Sequence, residues 1–213
     1  MHLLTEKIWF PPVTDADEDG LLAVGGDLSS ERLLLAYQSG IFPWYSEGQP
    51  ILWWSPNPRM VLFPKELRVS KSFRKTINSE KFRVTFNTSF PEVIKNCAAI
   101  KRDGQASTWI TSEMERAYIG LHEKGYAFSV EVWQENELTG GLYGIDLADQ
   151  KVFCGESMFT KVSDASKVGL YHLVELLKEK NYKLIDCQIY TEHLERLGAK
   201  EICRDEFLQY ISC

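Results

Sequence analysis

Apolar residues along this 213-residue chain recur at two spacings, and the switches between them mark its elements. Tyr126 to Trp133 alternates with a period of two. Glu137 to Ile145 follows after the polar turn Gln134–Glu135–Asn136, and Lys151 to Gly155 adds a third run, so an antiparallel meander is predicted. The last run ends at Gly155 and Glu156, read as a strand leaving its sheet. Ser163 and Asp164 then offer N-caps for a helix with Val168, Tyr171, Val174 and Leu177 at helical spacing, closed by Lys178 to Asn181. Lys183 to Gln188 reads as a further strand. Upstream, the pairs Ser89/Glu92 and Ser112/Glu115 have the spacing of capping boxes, predicting helices through Ala98 and to near Gly125. Ser70 to Asn78 reads as a short helix with Phe73 and Ile77 facing inward. Asp27 or Ser29 caps another that runs to Tyr37 and stops at Gly40. Residues 11–27, with Pro11, Pro12 and an acidic run to Asp19, read as loop. Gly25 and Gly26 are not followed by Gly-Lys-Ser/Thr, so no phosphate loop is implied.

Three stretches carry candidate chemistry. Asp186 and Gln188 lie two apart on an otherwise apolar strand, so a period of two puts both on one face. Buried polar groups need partners or a task; they serve either a site or a neighbouring loop. The stretch from Ile41 to Pro64 concentrates Phe42, Trp44, Tyr45, Trp53 and Trp54 among five prolines that break any regular element. It is either a small core locking an N-terminal segment in place, favoured for Trp53 and Trp54, or a platform for a planar ligand, for which Trp44 is the candidate. Trp109 is the next lone tryptophan, in the connecting segment Ser-Thr-Trp-Ile. Lastly, Lys71, Arg74 and Lys75 fall on the outer side of their short helix, opposite Phe73 and Ile77.

Charge changes the picture here. The chain carries −6 overall, which argues against a nucleic-acid partner, but residues 65–83 hold seven Lys/Arg against two Glu, a net +5 that leaves −11 for the rest. One basic island on an acidic body fits phosphate contact or a solvated face. Five cysteines without a CxxC pair and four histidines without HExxH spacing argue against a disulfide framework and a zinc site. No run reaches the length of a membrane span, and Met1 to Phe10 lacks a signal-peptide pattern, so a cytoplasmic protein with no membrane partner is expected.

The order helix, helix, three-strand meander, helix, strand, helix, strand is that of an α/β (α+β) N-acetyltransferase-like (GNAT) core, here preceded by a small N-terminal domain; the expected division is 1–62 and 63–213. Acetyl-coenzyme A users carry a glycine-rich pyrophosphate loop after the third meander strand. Here that turn, Glu156 to Lys167, has no glycine, which argues against coenzyme A as donor. Taken in order, GLLAVGGDLSSERLLLAYQSGIFPW, PILWWSPNPRMVL, TWI, SVEVW, GGLYG, FCGESMF, DASK and LIDCQ resemble the bacterial leucyl/phenylalanyl-tRNA–protein transferase family, from about Gly20 to Phe207.

The resemblance implies an enzyme that takes leucine or phenylalanine, with methionine as a further candidate, from its tRNA ester. It joins that residue to the N-terminal Arg or Lys of an acceptor protein, tagging it for N-end rule degradation. By the same resemblance, Asp186 and Gln188 are the catalytic pair and Glu156 lines their cleft. Trp44 and Trp109 hold the terminal adenosine, and Lys71, Arg74 and Lys75 bind tRNA. Leu142, Met158, Leu170, Leu177 and Ile185 form the amino-acid pocket, with Thr191 as a polar contact. Thr191 stands where the family has Asn, and Leu173 and Leu177 where it has Phe. No cofactor or metal is implied, and a monomer is expected. Ester aminolysis needs a neutral amine, a route for its proton and oxyanion stabilisation, for which backbone amides near Gly155 to Ser157 are candidates. Asp186 would hold the cationic amine or take its proton, directly or through Gln188. The competing readings are a coenzyme A-dependent N-acetyltransferase and a non-catalytic tRNA-binding module.

Overall fold

The computed structural model describes residues 1–100 and 109–212. In the N-terminal part, β1 (His2–Leu4), β2 (Leu21–Gly25), β3 (Phe42–Pro43) and β4 (Leu52–Trp54) make a four-stranded sheet in the order β1-β2-β4-β3, beside helix α1 (Ser30–Gln38). The stretches predicted to lack regular structure therefore contain strands. Pro43 ends β3, while Pro50 and Pro56 flank β4, so the prolines bound the short strands instead of abolishing them. Ser29 caps α1 as expected, its side chain accepting from the Arg32 amide.

The larger sheet has seven strands: β5 (Arg59–Leu62), β6 (Arg83–Phe86), β7 (Ala127–Gln134), β8 (Glu137–Leu147), β9 (Val152–Thr160), β10 (Leu184–Gln188) and β11 (Lys200–Ile202). Their order is β11-β5-β10-β9-β8-β7-β6, with β10 parallel to β9 and the other pairs antiparallel. Helices α2 (Lys71–Ile77), α3 (Phe90–Ala99), α4 (Ser112–Glu123), α5 (Ala165–Glu179), α6 (Glu192–Arg196) and α7 (Arg204–Ile211) complete the chain. From α3 onward this is the α/β element order of an N-acetyltransferase core, meander included. Strand β5 lies on the N-terminal side of the expected division, yet it is hydrogen-bonded between β10 and β11.

Local chemistry departs from expectation at the caps. Thr111, one residue before the expected Ser112, caps α4 by accepting from the Met114 amide. Ser89 and Asp164 sit at helix starts but make no side-chain cap bond; Asp164 pairs with Lys167 instead.

The main departure concerns β9. It does not end at Gly155 but continues to Thr160, because β8 pairs with it as far as Gly140–Thr160. Its pairing with β10 on the other side stops at Cys154–Asp186. Beyond that point the two parallel strands part, and a gap opens in the sheet. Buried Leu170, Leu173, Val174 and Leu177 of α5 pack beneath it with Leu142, Phe153 and Ile185. On the other face Tyr37, Phe90, Tyr118, Tyr143 and Trp53 join the core that includes α1, α3 and α4.

Candidate active site

The gap between β9 and β10 is the mouth of a cleft of about 390 Å3. Its floor is apolar: Leu142, Met158, Leu170 and Ile185 all line it, as the resemblance implied, and Leu173 joins them. Leu177 does not. One turn further along α5, it is 3% exposed and packs within the core below. Trp44 and Trp109 both line the cleft and are half-buried. Trp44 is braced by the edge of Trp54 at 5.9 Å, and Trp54 Nε1 donates to the Trp44 carbonyl at 2.7 Å. Thr108, which precedes Trp109 in the TWI motif, lies outside the described residues. Trp53, by contrast, is fully buried and donates to the Gly25 carbonyl, in keeping with the small-core reading. Thr191 reaches the rim, where its hydroxyl also caps α6 by accepting from Leu194 N.

The polar wall separates the two residues that the sequence pattern put together. A register shift falls between Asp186 and Gln188, and Gln188 has φ +60°, so the period of two is broken there. Gln188 faces the cleft, and its Nε2 donates to Glu156 Oε1 at 3.2 Å. Asp186 does not line the cleft. It is 1% exposed, and both its oxygens are held by the Arg59 guanidinium, Nε to Oδ1 and Nη2 to Oδ2, each at 2.8 Å. Oδ1 also accepts the Gln188 backbone N–H at 3.0 Å. Arg59 in turn donates to the Gly40 carbonyl at 3.0 Å and lies over the rings of Phe42 and Phe207. Of the roles expected for Asp186, this geometry favours action through Gln188, because its carboxylate is held in the core by the Arg59 ion pair and stands behind the cleft wall.

Glu156 is the carboxylate at the cleft. Tyr118 Oη donates to its Oε2 at 3.0 Å, and Tyr37 Oη is hydrogen-bonded to Tyr118 in turn. Desolvation pushes the Glu156 carboxyl up from 4.5 to about 7; the nearby Asp186 charge adds to the rise, while hydrogen bonds from the two tyrosines oppose it. His193, on α6 at the rim, is held below the usual imidazole range by desolvation and by the nearby Lys167 and Arg196 charges, so it is neutral near pH 7. The basic helix lies apart from the cleft lining. In α2, Lys71, Arg74 and Lys75 are exposed, Phe73 is buried, and Phe73 meets Tyr171 of α5 edge-on at 6.4 Å.

Sequence reasoning passed over Arg59, Tyr37, Tyr118 and His193, and named Gly155 only for its backbone amide. Arg59 left a signal, since a single charge heading the apolar run Met60 to Phe63 needs a buried partner. The tyrosines left none. They sit on helical apolar faces, where a phenol ring reads as core.

Two sequence profiles match the chain. That of the family described as Leucyl/phenylalanyl-tRNA protein transferase covers residues 61–212, and that of its N-terminal domain covers residues 26–57. A leucyl/phenylalanyl-tRNA–protein transferase of Flavobacterium johnsoniae is 60% identical over 211 residues, covering 99% of this chain and 99% of the relative. One from Christiangramia forsetii is 58% identical over 211 residues, covering 99% and 100%. Among solved structures, a GCN5-related N-acetyltransferase from Kribbella flavida is 12% identical, with a TM-score of 0.42 over 85% of this chain and 63% of its own. That last likeness is too distant to carry anything about activity.

Proposed function

This chain belongs to the leucyl/phenylalanyl-tRNA–protein transferase family, and on that premise we propose which residues of the cleft perform the transfer. The protein is an aminoacyltransferase that moves leucine or phenylalanine from a tRNA ester to a protein. The observation that carries the assignment is one cleft joining two half-buried tryptophans, an apolar floor and the Glu156–Gln188 pair. In this reading Trp44 and Trp109 stack the terminal adenosine, and Leu142, Met158, Leu170 and Ile185 surround the aminoacyl side chain. Thr191 contributes a polar contact at the rim. Lys71, Arg74 and Lys75 meet phosphates of the tRNA stem.

Aminolysis forms a C–N bond and breaks the ester C–O bond. The incoming α-ammonium must lose a proton, and the departing ribose oxygen must gain one. An α-ammonium titrates at about 7.7–8.0. Glu156, near 7, lies within about a unit of it and so can accept that proton and return it to the ribose oxygen. Gln188 bonds Glu156 through its amide nitrogen, which leaves its carbonyl oxygen to orient the amine. When Glu156 is protonated, the Tyr118 hydroxyl can turn from donor to acceptor. Asp186 acts as a positioning residue, fixing the Gln188 backbone through its N–H.

The acceptors proposed are proteins beginning with Arg or Lys, tagged for N-end rule degradation in the cytoplasm by a monomeric enzyme. No helix among the described residues is long and apolar enough to cross a membrane. We also place the domain division just before Arg59, so that β5 stays with its sheet. The test is incubation with individually charged tRNAs and peptides that differ only in their first residue. Leucine and phenylalanine should pass to Arg- and Lys-led peptides; transfer to acidic N-termini alone would overturn the acceptor assignment.

A further inference from the structure

Gly155 is a glycine that the fold does not require. Most glycines in the described residues have a visible reason. Gly20, Gly25, Gly26, Gly40 and others take positive φ, while at Gly140, Gly141, Gly144 and Gly169 a Cβ would press within 3.0 Å of a neighbour. Gly155 has neither constraint. Its φ is not left-handed, and a Cβ there would lie 3.6 Å from Ile185 Cγ2 and 3.7 Å from the Asp186 carbonyl oxygen, ordinary contact distances. Gly120 is equally unconstrained, but it sits on α4 with open space around it and is not part of the lining of this cleft. A glycine inside a strand gives up conformational entropy and side-chain packing, and it commonly marks a place where a ligand comes close to the backbone.

The position of Gly155 says which part of a ligand that is. It is the first residue of β9 beyond the point where β10 stops pairing, so its empty side opens into the cleft. Phe153, two residues earlier on the same face of the strand, lines that cleft, as do Met158, Leu170 and Ile185. Such surroundings suit neither a ribose nor a phosphate. They suit the apolar side chain of the donor amino acid. We propose that Gly155 is a specificity determinant, keeping the pocket wide enough for an aromatic side chain where an alanine methyl, standing against Ile185, would admit only a branched aliphatic one. This rests on the assignment of the cleft to the aminoacyl group.

The test is Gly155→Ala, measured by thermal unfolding and by kcat/KM for leucyl- and phenylalanyl-tRNA with one Arg-led peptide. The expected result is an unchanged or higher Tm, with the phenylalanine-to-leucine ratio falling by about tenfold or more, the scale of one misplaced methyl group in an apolar pocket. A clear fall in Tm would make Gly155 a requirement of the fold and overturn the inference. So would an unmoved ratio, whether both rates fall or neither does. The unaltered protein separates the two levels: if it transfers neither amino acid, the assignment of the site fails; if it transfers both and the ratio stays put, only the role of Gly155 fails.

Discussion

Replacing Arg59 with methionine removes the guanidinium that holds Asp186 while keeping an unbranched side chain between the rings of Phe42 and Phe207. Asp186 is 1% exposed, so its carboxylate would be left charged, dry and without its two 2.8 Å bonds. Removing one partner of a buried ion pair costs about 3–5 kcal/mol, most of it the penalty of the stranded charge. The lost Gly40 bond and the cation–ring contacts overlap with that figure and are not added to it. Against a typical stability of about 5–15 kcal/mol, Arg59→Met should stay folded but be sharply weakened. Removing both charges with Arg59→Met/Asp186→Leu eliminates the stranded carboxylate, and such replacements are often neutral or stabilising. The double variant should therefore regain most of the lost stability.

Transfer should not return with it. The Gln188 N–H would lose its carboxylate acceptor, which helps to hold its φ of +60°, a conformation that costs a non-glycine residue about 1–3 kcal/mol. Urea unfolding followed by circular dichroism, run beside a transfer assay from leucyl-tRNA, measures both quantities. Two results would refute the reasoning. One is a single variant within about 1 kcal/mol of wild type. The other is a double variant with wild-type turnover, which would remove Asp186 from the positioning role altogether.

The other predictions concern the remaining walls of the cleft. Glu156 titrates near 7 in the folded protein against 4.5 for a free carboxyl, so the folded state holds its proton more tightly and stability falls as pH rises from about 4.5 to 7. Glu156→Gln cannot ionise; it should abolish that slope, be more stable than wild type at pH 8 by at most about 3 kcal/mol in urea unfolding, and lose the rise of kcat/KM through pH 7. Trp44→Ala and Trp109→Ala should each weaken donor binding by about 1–3 kcal/mol, the cost of a lost base stack; unfolding instead would assign that residue to packing. Replacing Lys71, Arg74 and Lys75 together with alanine should raise KM for charged tRNA and lower the log–log salt slope by about 0.7–0.9 per lost contact. Transfer from a minimal aminoacyl-adenosine donor should be unaffected, and an equal loss with both donors would show that α2 serves folding.

Periodicity and capping signals together determined the meander, α5, β10 and the element order of the core, because those segments are long enough for burial on one face to set a clear spacing. Motif resemblance carried the family. It also named Trp44, Trp109, Glu156, Gln188 and four of the five floor residues that line one cleft. Short strands escaped notice: β3 and β4 span two and three residues, too few for any period to register, and their pairing supplies what local propensity lacks. The end of β9 was misplaced for a related reason. A strand stops where its last neighbour stops pairing, and β8 runs past Gly155 even though β10 does not. Most of all, the separate fates of Asp186 and Gln188 were invisible along the chain. Two residues apart on a strand, they share a face until a bulge intervenes, and what sustains the bulge is Arg59, 127 positions away. Leu177, which the resemblance put in the pocket, lies one turn too far along α5 to line the cleft, a depth that motif matching does not report. The chain by itself specifies which side chains must be buried; only the packed structure decides which buried charge meets a partner and which meets the substrate.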